Sequence, residues 1–538
     1  MLTKTITAAH ALNLRFMRTS KKIGLVSIGG TSIPFGNVVS ASKKFGNKNL
    51  EYLDSFLKSK GYESKIIYCS VKTPVENDVG EISTYFFDVI VFFIDLFNAE
   101  KCIEICKRLK QSNGNVKTIC FGRLIDNSYK EILATCDCFD YACLGDPERS
   151  IDELIQNNFS TQGGFKSVAT RCDLKNKEMA SFFDASLQPS QGYYVNGVGT
   201  DNFYKTYVLE TQKNVCFGQC SFCWSRKGEY EYRTFDSVFS EIQGAYDQGI
   251  RDFLITDNDL FDIWNEKREK ELLKLFRSIK LANPKCTFSC FSKSKTILKI
   301  PDSALIELNK CGLYCVFVGV DAGNNQDKAL YKKGSSLQED FEAIEKLNRI
   351  GFFYRVGFIF TNPYSTLDTF RENYKTLIKI RSANIYHYGH LKLMLLPGTK
   401  IYFKALSDGL VRGKGVYDYV ILDAEARSIS AFVDSVIENL ERKKFYPFIT
   451  LKRKYEELKS ISGLSKRYCD RISQYEEEEF NSLKEFFGTV FLGCSPTFAK
   501  IDADGFVDWE LERSRSFRAM AEKIENDIRE VRNCGNKN

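Results

Sequence analysis

Three cysteines stand close together in the run Cys216-Phe-Gly-Gln-Cys220-Ser-Phe-Cys223. The spacing C-x3-C-x2-C lets one short loop wrap three thiolates around one face of an inorganic cluster. On a four-iron cluster, three cysteine ligands leave one iron without a protein ligand. An iron left open in this way can bind and reduce a substrate or cofactor. Zinc is the rival metal. A structural zinc site takes four ligands, usually in paired Cys/His spacings, and no fourth Cys or His lies near this loop. The chain has only three histidines: His10, His387 and His390. The last two sit beside Tyr386 and Tyr388, a cluster suited to substrate contact or proton transfer. A plain structural role is the alternative for each of them.

These residues need elements to hold them. Residues 21–160 alternate strand and helix signals: strands at Ile23–Ile28, Lys65–Cys69, Val89–Ile94, Val116–Phe121 and Tyr141–Leu144. Helical spacing appears over Leu50–Gly61, Cys102–Leu109 and from Ser150. Such alternation implies a parallel, doubly wound sheet. Ligands bind at the carboxyl ends of strands in such sheets, and those ends carry Gly29, Gly122 and Gly145. Residues 161–205 are weakly patterned and read as a linker. From 206 to 410 the alternation resumes. Strands are expected at Tyr207–Glu210, Phe253–Thr256, Thr287–Phe291, Tyr314–Val320, Arg355–Phe360 and His390–Leu396, with helices between. Six such units suggest a (β/α)6 partial barrel with its chemistry at the strand C-termini. Residues 411–538 read as mainly helical, over Ala424–Phe445, Leu451–Ile461, Glu476–Phe487 and Val507–Val531. Asp502-Ala503-Asp504-Gly505 reads as a turn, because the downstream Glu of a calcium loop is missing.

The cysteine spacing, with an aromatic (Phe222) just before the last Cys, resembles the signature of radical S-adenosylmethionine (SAM) enzymes. The resemblance continues through Tyr232-Arg233, Glu241-Ile242, Gly249, Asp257-Asn258-Asp259, Gly312 and Gly319-Val-Asp321-Ala-Gly323. It runs on through Lys333-Gly334, Gly351, Gly357-Phe-Ile359-Phe and Pro397-Gly398-Thr399. Upstream, Pro34-Phe-Gly36, Gly61-Tyr62, Ile119-Cys-Phe-Gly122, Asp140 and Leu144-Gly145-Asp-Pro-Glu148 resemble a cobalamin (B12)-binding domain. The whole is similar to the cobalamin-domain-containing radical SAM enzymes. The fold implied is a Rossmann-like B12-binding-type domain over 21–160, a radical SAM barrel over 206–410 and a helical domain over 411–538.

The resemblance also implies roles. Cys216, Cys220 and Cys223 would ligate a [4Fe–4S] cluster whose open iron chelates SAM. Asp257, Asn258 and Asp259 would accept from its ammonium, with a helix-capping turn as the alternative. Ser289 and Ser292 would meet its carboxylate, or lie in a solvated loop. Asp321 stands where related enzymes often hold Glu and would accept from ribose hydroxyls. Lys333 would pair with the carboxylate, or be an ordinary surface Lys. Arg355 would point into the barrel, and Ile359 would pack on adenine. Cobalamin would rest near Gly29, Gly122 and Gly145. Residues 21–160 contain no His, so no axial ligand to cobalt is expected from this domain.

Composition narrows the remaining choices. The chain has 538 residues, 43% apolar and 27% charged, with a net charge of +7. That bias is too small to imply nucleic acid. It sits wholly in the first 50 residues, which carry eight Lys/Arg and no Asp or Glu. Met1–Lys22 within them reads as a basic leader, residues 1–20 preceding the first domain. No run is long and apolar enough to span a bilayer. Eighteen cysteines without a secretory signal suggest a reducing cytosol. Cys286, Cys290, Cys311 and Cys315 read as barrel core. The reaction expected is cobalamin-dependent C-methylation of a peptide or natural-product intermediate, driven by an external one-electron reductant of flavodoxin or ferredoxin type. The alternative is epimerisation or cyclisation of a peptide with a cobalamin-free first domain, in which Cys469 or Cys494 would donate hydrogen. The helical domain is expected to close over the substrate.

Overall fold

The computed structural model describes residues 21–29, 48–161, 164–174, 176–180, 184, 186–188, 194–196, 205–212, 216–224, 231–381, 391–413, 415–462, 466–492 and 503–533. The described residues fall into two compact units that divide between Tyr194 and Val195.

The first unit is built on β1 (Lys22–Gly29), β2 (Glu63–Ser70), β3 (Val89–Phe93), β4 (Lys117–Phe121), β5 (Tyr141–Cys143) and β6 (Val168–Ala169). Its helices are α1 (Lys48–Ser59), α2 (Val75–Ser83), α3 (Ala99–Ser112), α4 (Arg123–Thr135) and α5 (Pro147–Gln156). The sheet order is β2-β1-β3-β4-β5-β6. The first five strands are parallel, and β6 runs antiparallel to β5. Both faces are covered, so β1 and β3 are near-continuous buried apolar runs. Leu53 and Leu57 of α1 and Ile151 of α5 pack on Leu25, Val91 and Ile119.

Three features depart from the sequence expectation. Helix α2 carries few buried apolar residues, so its period is faint. Helix α4 breaks at Ser128 (φ −138°), which splits its apolar spacing. Strand β6 lies inside the expected linker, yet it extends the sheet.

The second unit holds a second six-stranded sheet, ordered β12-β11-β10-β9-β8-β7. Its strands are β7 (Tyr194–Asn196), β8 (Lys205–Leu209), β9 (Asp252–Ile255), β10 (Thr287–Lys293), β11 (Leu313–Asp321) and β12 (Phe353–Phe358). From β8 to β12 every pairing is parallel. Between them lie α6 (Phe235–Asp247), α7 (Glu266–Ala282), α8 (Ser294–Lys299), α9 (Asp302–Lys310), α10 (Asn325–Tyr331), α11 (Leu337–Ile350) and α12 (Leu367–Lys379). Side chains of Thr234, Asn265, Asn324, Ser336 and Thr366 cap α6, α7, α10, α11 and α12. Of the expected sixth barrel strand, His390–Leu396, the described residues begin at Leu391 and pair in parallel with Phe360 and Thr361 without forming a regular strand. Its described residues contribute a single parallel bridge, Lys392 to Thr361.

The chain closes with α13 (Lys400–Ser407), α14 (Ala424–Arg442), α15 (Phe448–Ser462), α16 (Lys466–Leu492) and α17 (Ala503–Asn533). Ala503-Asp504-Gly505, expected as part of a turn, begins α17. Among the described residues no helix is long and apolar enough to cross a membrane.

Two of these helices, α15 and α17, reach the N-terminal ends of the strands, opposite the cysteines. At the N-terminal ends of the strands, Thr206 and Thr287 donate to the buried Asp252 at 2.6 and 3.2 Å. Arg453 of α15 pairs with the same carboxylate at 3.3 Å. Arg532 of α17 reaches Thr287 at 3.2 Å and Glu457 at 2.8 Å. Helices α15 and α17 thus pack on the N-terminal mouth of the barrel.

Candidate functional site

The cysteine loop leaves the C-terminal end of β8, and its backbone is fastened on two sides. The Ser221 amide donates to the Tyr331 carbonyl at 2.8 Å, and the Ser221 hydroxyl donates to the Leu330 carbonyl at 2.7 Å. Both acceptors belong to the last turn of α10. On the other side, the Ile401 amide of α13 donates to the Ser221 carbonyl at 3.1 Å, and the Trp224 indole donates to the Pro397 carbonyl at 2.7 Å. Phe222 points into an apolar cluster of Ala322, Tyr331, Leu393 and Ile401. Its ring stands edge-on to Tyr331, 5.3 Å between centroids.

Behind Tyr331 runs a buried polar chain. Asn362 donates to the Tyr331 hydroxyl (2.9 Å) and to Asp327 (2.8 Å). Asn324 donates to Asp327 (2.7 Å) and to Asn373 (2.9 Å), and Asn373 donates to the Phe360 carbonyl (3.0 Å). This network ties the ends of β11 and β12 to the loop.

Three thiols and no carboxylate or imidazole in the loop make a donor set that suits an iron–sulfur cluster. Among the described residues, no group of three His, Cys, Asp or Glu side chains is gathered around one point for a metal ion. A cradle is present instead. A Cβ added at Gly218 would stand 3.2 Å from the Cys216 Sγ, a tight approach, and 3.8 Å from the Cys220 Sγ, so the glycine lies against both sulfurs. The Gly218 amide donates to Cys216 Sγ at 3.2 Å, a bond of the kind that tunes clusters.

Two lysines sit beside the thiolates, Lys333 almost enclosed and Lys293 partly exposed. Burial opposes the Lys293 charge, but Asp259, Asp262 and Cys216 outweigh it and hold the ammonium above its usual range. Burial likewise opposes the Lys333 charge, and Asp321 with Cys220 more than compensates. Burial pushes the Cys220 thiol up, against the pull of Lys333.

The candidates divide into distinct groups. Lys333 is no surface residue: its side chain is 9% exposed and ion-pairs with Asp321. Asp321 ends β11 at φ 62°, beside a register shift against β12. A left-handed aspartate at a strand end is strained backbone of the kind found at functional sites. Gly319 and Gly357 are register partners next to it. A Cβ at Gly319 would lie 3.0 Å from Lys333 Nζ, and one at Gly357 would lie 3.4 Å from an Asp321 carboxylate oxygen. The pair of glycines leaves open the ground above Asp321 and Lys333. Ile359 follows β12, its amide bonded to the Asp321 carbonyl at 3.1 Å, and it packs on the Phe222 cluster.

Asp257 and Asp259 are fully buried and already engaged. Asp257 accepts from the Thr211 amide (2.8 Å) and hydroxyl (2.5 Å). Burial raises its carboxyl to about 6, against those bonds and Arg268. Asp259 accepts from Ser292 and Thr296, both at 2.8 Å, and Lys293 lies 3.6 Å away. Both carboxylates therefore brace strand ends, and Ser292 is a bracing donor. Asn258, between them, is half-buried. Ser289 is buried in mid-strand β10, away from any solvated loop. Arg355 stacks on Phe317, 4.9 Å from the ring centre. It lines a cavity of about 260 Å³ with Lys452, Tyr455 and Glu456 of α15, away from the cysteines. Cys286, Cys290, Cys311 and Cys315 are buried core. Tyr386, His387, Tyr388 and His390 lie outside the described residues, as do Cys494 and His10.

The sequence reading passed over Ser221, Tyr331, Asn362 and Lys293. Their partners are distant in the chain, and only the polar residues of 324–327 and 362 inside apolar surroundings hinted at a network.

In the first unit Gly29 ends β1 and Gly122 follows β4. Both lie at the carboxyl side of the sheet, where the strand order reverses between β1 and β3. Gly122 (φ 124°) also has a packing reason, since a Cβ there would meet the Ile94 carbonyl oxygen at 2.4 Å. Gly145 (φ 80°) has the same constraint from the Ala180 backbone at 2.2 Å.

Comparisons with known proteins agree with this geometry. Residues 213–377 match the Radical SAM superfamily. An uncharacterised protein of Archaeoglobus fulgidus is 26% identical over 217 residues, which is 36% of this chain. The match spans 41% of that curated relative's length. Among solved structures, the cobalamin-dependent SAM radical enzyme OxsB, with aqua-cobalamin and SAM bound, matches with a TM-score of 0.66 at 14% identity. That match covers 97% of this chain and 82% of OxsB. The radical SAM methyltransferase TsrM from Kitasatospora setae, with cobalamin and a [4Fe–4S] cluster bound, matches with a TM-score of 0.52 at 16% identity. It covers 73% of this chain and 79% of TsrM. A radical SAM domain implies a [4Fe–4S] cluster and SAM, the cofactors that the three-cysteine loop suits. Residues 213–377 thus carry a radical SAM domain, and the fold of the chain is similar to that of the cobalamin-dependent radical SAM enzymes OxsB and TsrM.

Proposed function

We propose that the protein is a cobalamin-dependent radical SAM enzyme that methylates carbon in a small-molecule or peptide substrate. One observation carries the reading: a doubly wound β2-β1-β3-β4-β5 domain precedes a parallel barrel whose first strand delivers the three-cysteine loop. When bound, the cluster and SAM supply the radical that takes a hydrogen atom from the substrate, and the corrinoid supplies the methyl group.

The chain's own residues bind, orient and shield. Cys216, Cys220 and Cys223 give three thiolates and leave a fourth coordination position unfilled by protein. Lys293 and Lys333 place positive charge beside those thiolates. Asp321 and Lys333, under the Gly319–Gly357 gap, are the polar groups positioned to meet SAM, with Ile359 and Phe222 as the apolar wall. In the first unit, the crevice at the carboxyl side of β1 and β3 is the seat for the corrinoid. With no His in residues 21–160, the chain offers cobalt no imidazole there.

A second reading has its own support. The likeness to OxsB covers more of the chain than the likeness to the methyltransferase TsrM. OxsB is described as a radical enzyme rather than a methyltransferase, which favours a corrinoid radical reaction without methyl transfer. Incubation of reconstituted enzyme with methyl-labelled SAM, cobalamin and candidate substrates separates the two. Methylation predicts S-adenosylhomocysteine, deoxyadenosine and labelled product. Deoxyadenosine without S-adenosylhomocysteine or label would overturn the methylating reading.

A further inference from the structure

The carboxyl edge of the first unit's sheet keeps two large apolar side chains in water. Val71 follows the end of β2 and is 37% exposed, and Phe97 follows β3 and is 42% exposed. Strand β1 lies between those two strands and ends at Gly29. The two side chains thus flank a position that has none, on strands two spacings, about 10 Å, apart. Doubly wound sheets bind ligands at this edge, where the strand order reverses.

Both side chains are held outward by braced turns. Asp95 accepts from the Phe97 amide at 2.8 Å and from the Asn98 amide at 3.0 Å. The buried Asn98 side chain accepts from the Asp95 amide at 2.8 Å and donates to the Phe93 carbonyl at 3.1 Å. On the other side, the Val71 amide donates to the Gly29 carbonyl at 3.0 Å, and the Thr73 hydroxyl donates to the Ser70 carbonyl at 2.8 Å. Lys101, in the first turn of α3, ties the two turns together. It pairs with the buried Asp78 at 2.6 Å and donates to the Thr73 carbonyl at 2.7 Å. Phe97 cannot turn inward without breaking the bonds that fix its turn. A contact surface held ready in this way saves the ordering cost of binding.

We propose that Phe97 and Val71 form an apolar shelf for the flat ring of a corrinoid, with Phe97 as its main positioning residue. The inference rests on reading the first unit as the cobalamin seat. Shape argues for this occupant. Two apolar groups with a glycine between them make an open, level surface, which a broad planar ring covers at once. The chemistry argues for it as well. Residues 21–160 contain no His, so this unit offers cobalt no imidazole, and the tilt of the ring falls to contacts with its carbon framework.

The test is binding of two probes to the reconstituted full chain freed of corrinoid. Aquocobalamin carries the nucleotide tail, and diaquocobinamide has the same ring without it. Phe97→Ala should weaken both by about tenfold, and Phe97→Tyr should stay within about threefold of the parent. Phe86, 84% exposed just before the amino end of the same strand β3, is the control, and Phe86→Ala should leave both affinities unchanged. Unchanged affinity in Phe97→Ala would overturn the shelf while leaving the cobalamin reading intact. So would a loss confined to aquocobalamin, which would move Phe97 from the ring to the nucleotide tail. So would an equal loss in Phe86→Ala, which would make the effect one on the unit as a whole. A parent protein that binds neither probe would overturn the shelf and the cobalamin reading together.

Discussion

At the scale of single residues, Asp257 makes the sharpest forecast. Its carboxyl is raised from 3.8 to about 6 by burial. A carboxyl held protonated in the fold destabilises the protein once the pH rises past that value. Stability it contributes is present below about pH 4 and is lost as pH climbs through 6, a difference of about 3 kcal/mol. Asp257→Asn should therefore raise stability at pH 8 by about 1–3 kcal/mol, and the gain should shrink toward pH 4. Chemical denaturation at the two pH values checks it. A loss of stability at pH 8 would mean that Arg268 and Thr211 keep the carboxylate ionised. The cysteine loop was legible from sequence because its signal is local, three thiols within eight residues. Asp257 and Asp259 were legible as polar groups at a strand end, but not as braces. Their partners Thr211, Ser292 and Thr296 lie more than thirty residues away, and nothing local announces them.

At the scale of elements, the alternation of strand and helix was legible because a parallel sheet covered on both faces needs apolar strands such as Val89–Phe93. The sixth barrel strand is less regular than its sequence suggests. Leu391–Leu396 has the apolar run of a strand, but the described residues find only one bridge partner. The packing of α15 and α17 on the barrel's N-terminal mouth was hidden, since Arg453 and Arg532 look like ordinary helix-surface charges in the sequence. Structure gives them buried work. Removing the carboxylate by Asp252→Ala should strand the Arg453 guanidinium and cost about 3–5 kcal/mol. Asp252→Ala combined with Arg453→Met should recover much of that loss. Urea unfolding of both variants is the check, and equal loss in both would mean that the pair is not coupled.

At the scale of the whole molecule, two units carry two cofactor expectations of different weight. The second unit presents the thiolates, the flanking lysines and the glycine gap, all at one end of one sheet. The first unit presents a fold, a crevice at the reversal of strand order, and glycines that packing alone explains at 122 and 145. Cobalamin dependence is thus the central claim. It is tested most directly by metal content after anaerobic purification from cells supplied with cobalamin. The account predicts near-stoichiometric cobalt together with about four iron atoms per chain. Four iron atoms without cobalt, in protein whose cluster is fully loaded, would contradict it and leave the first unit a scaffold.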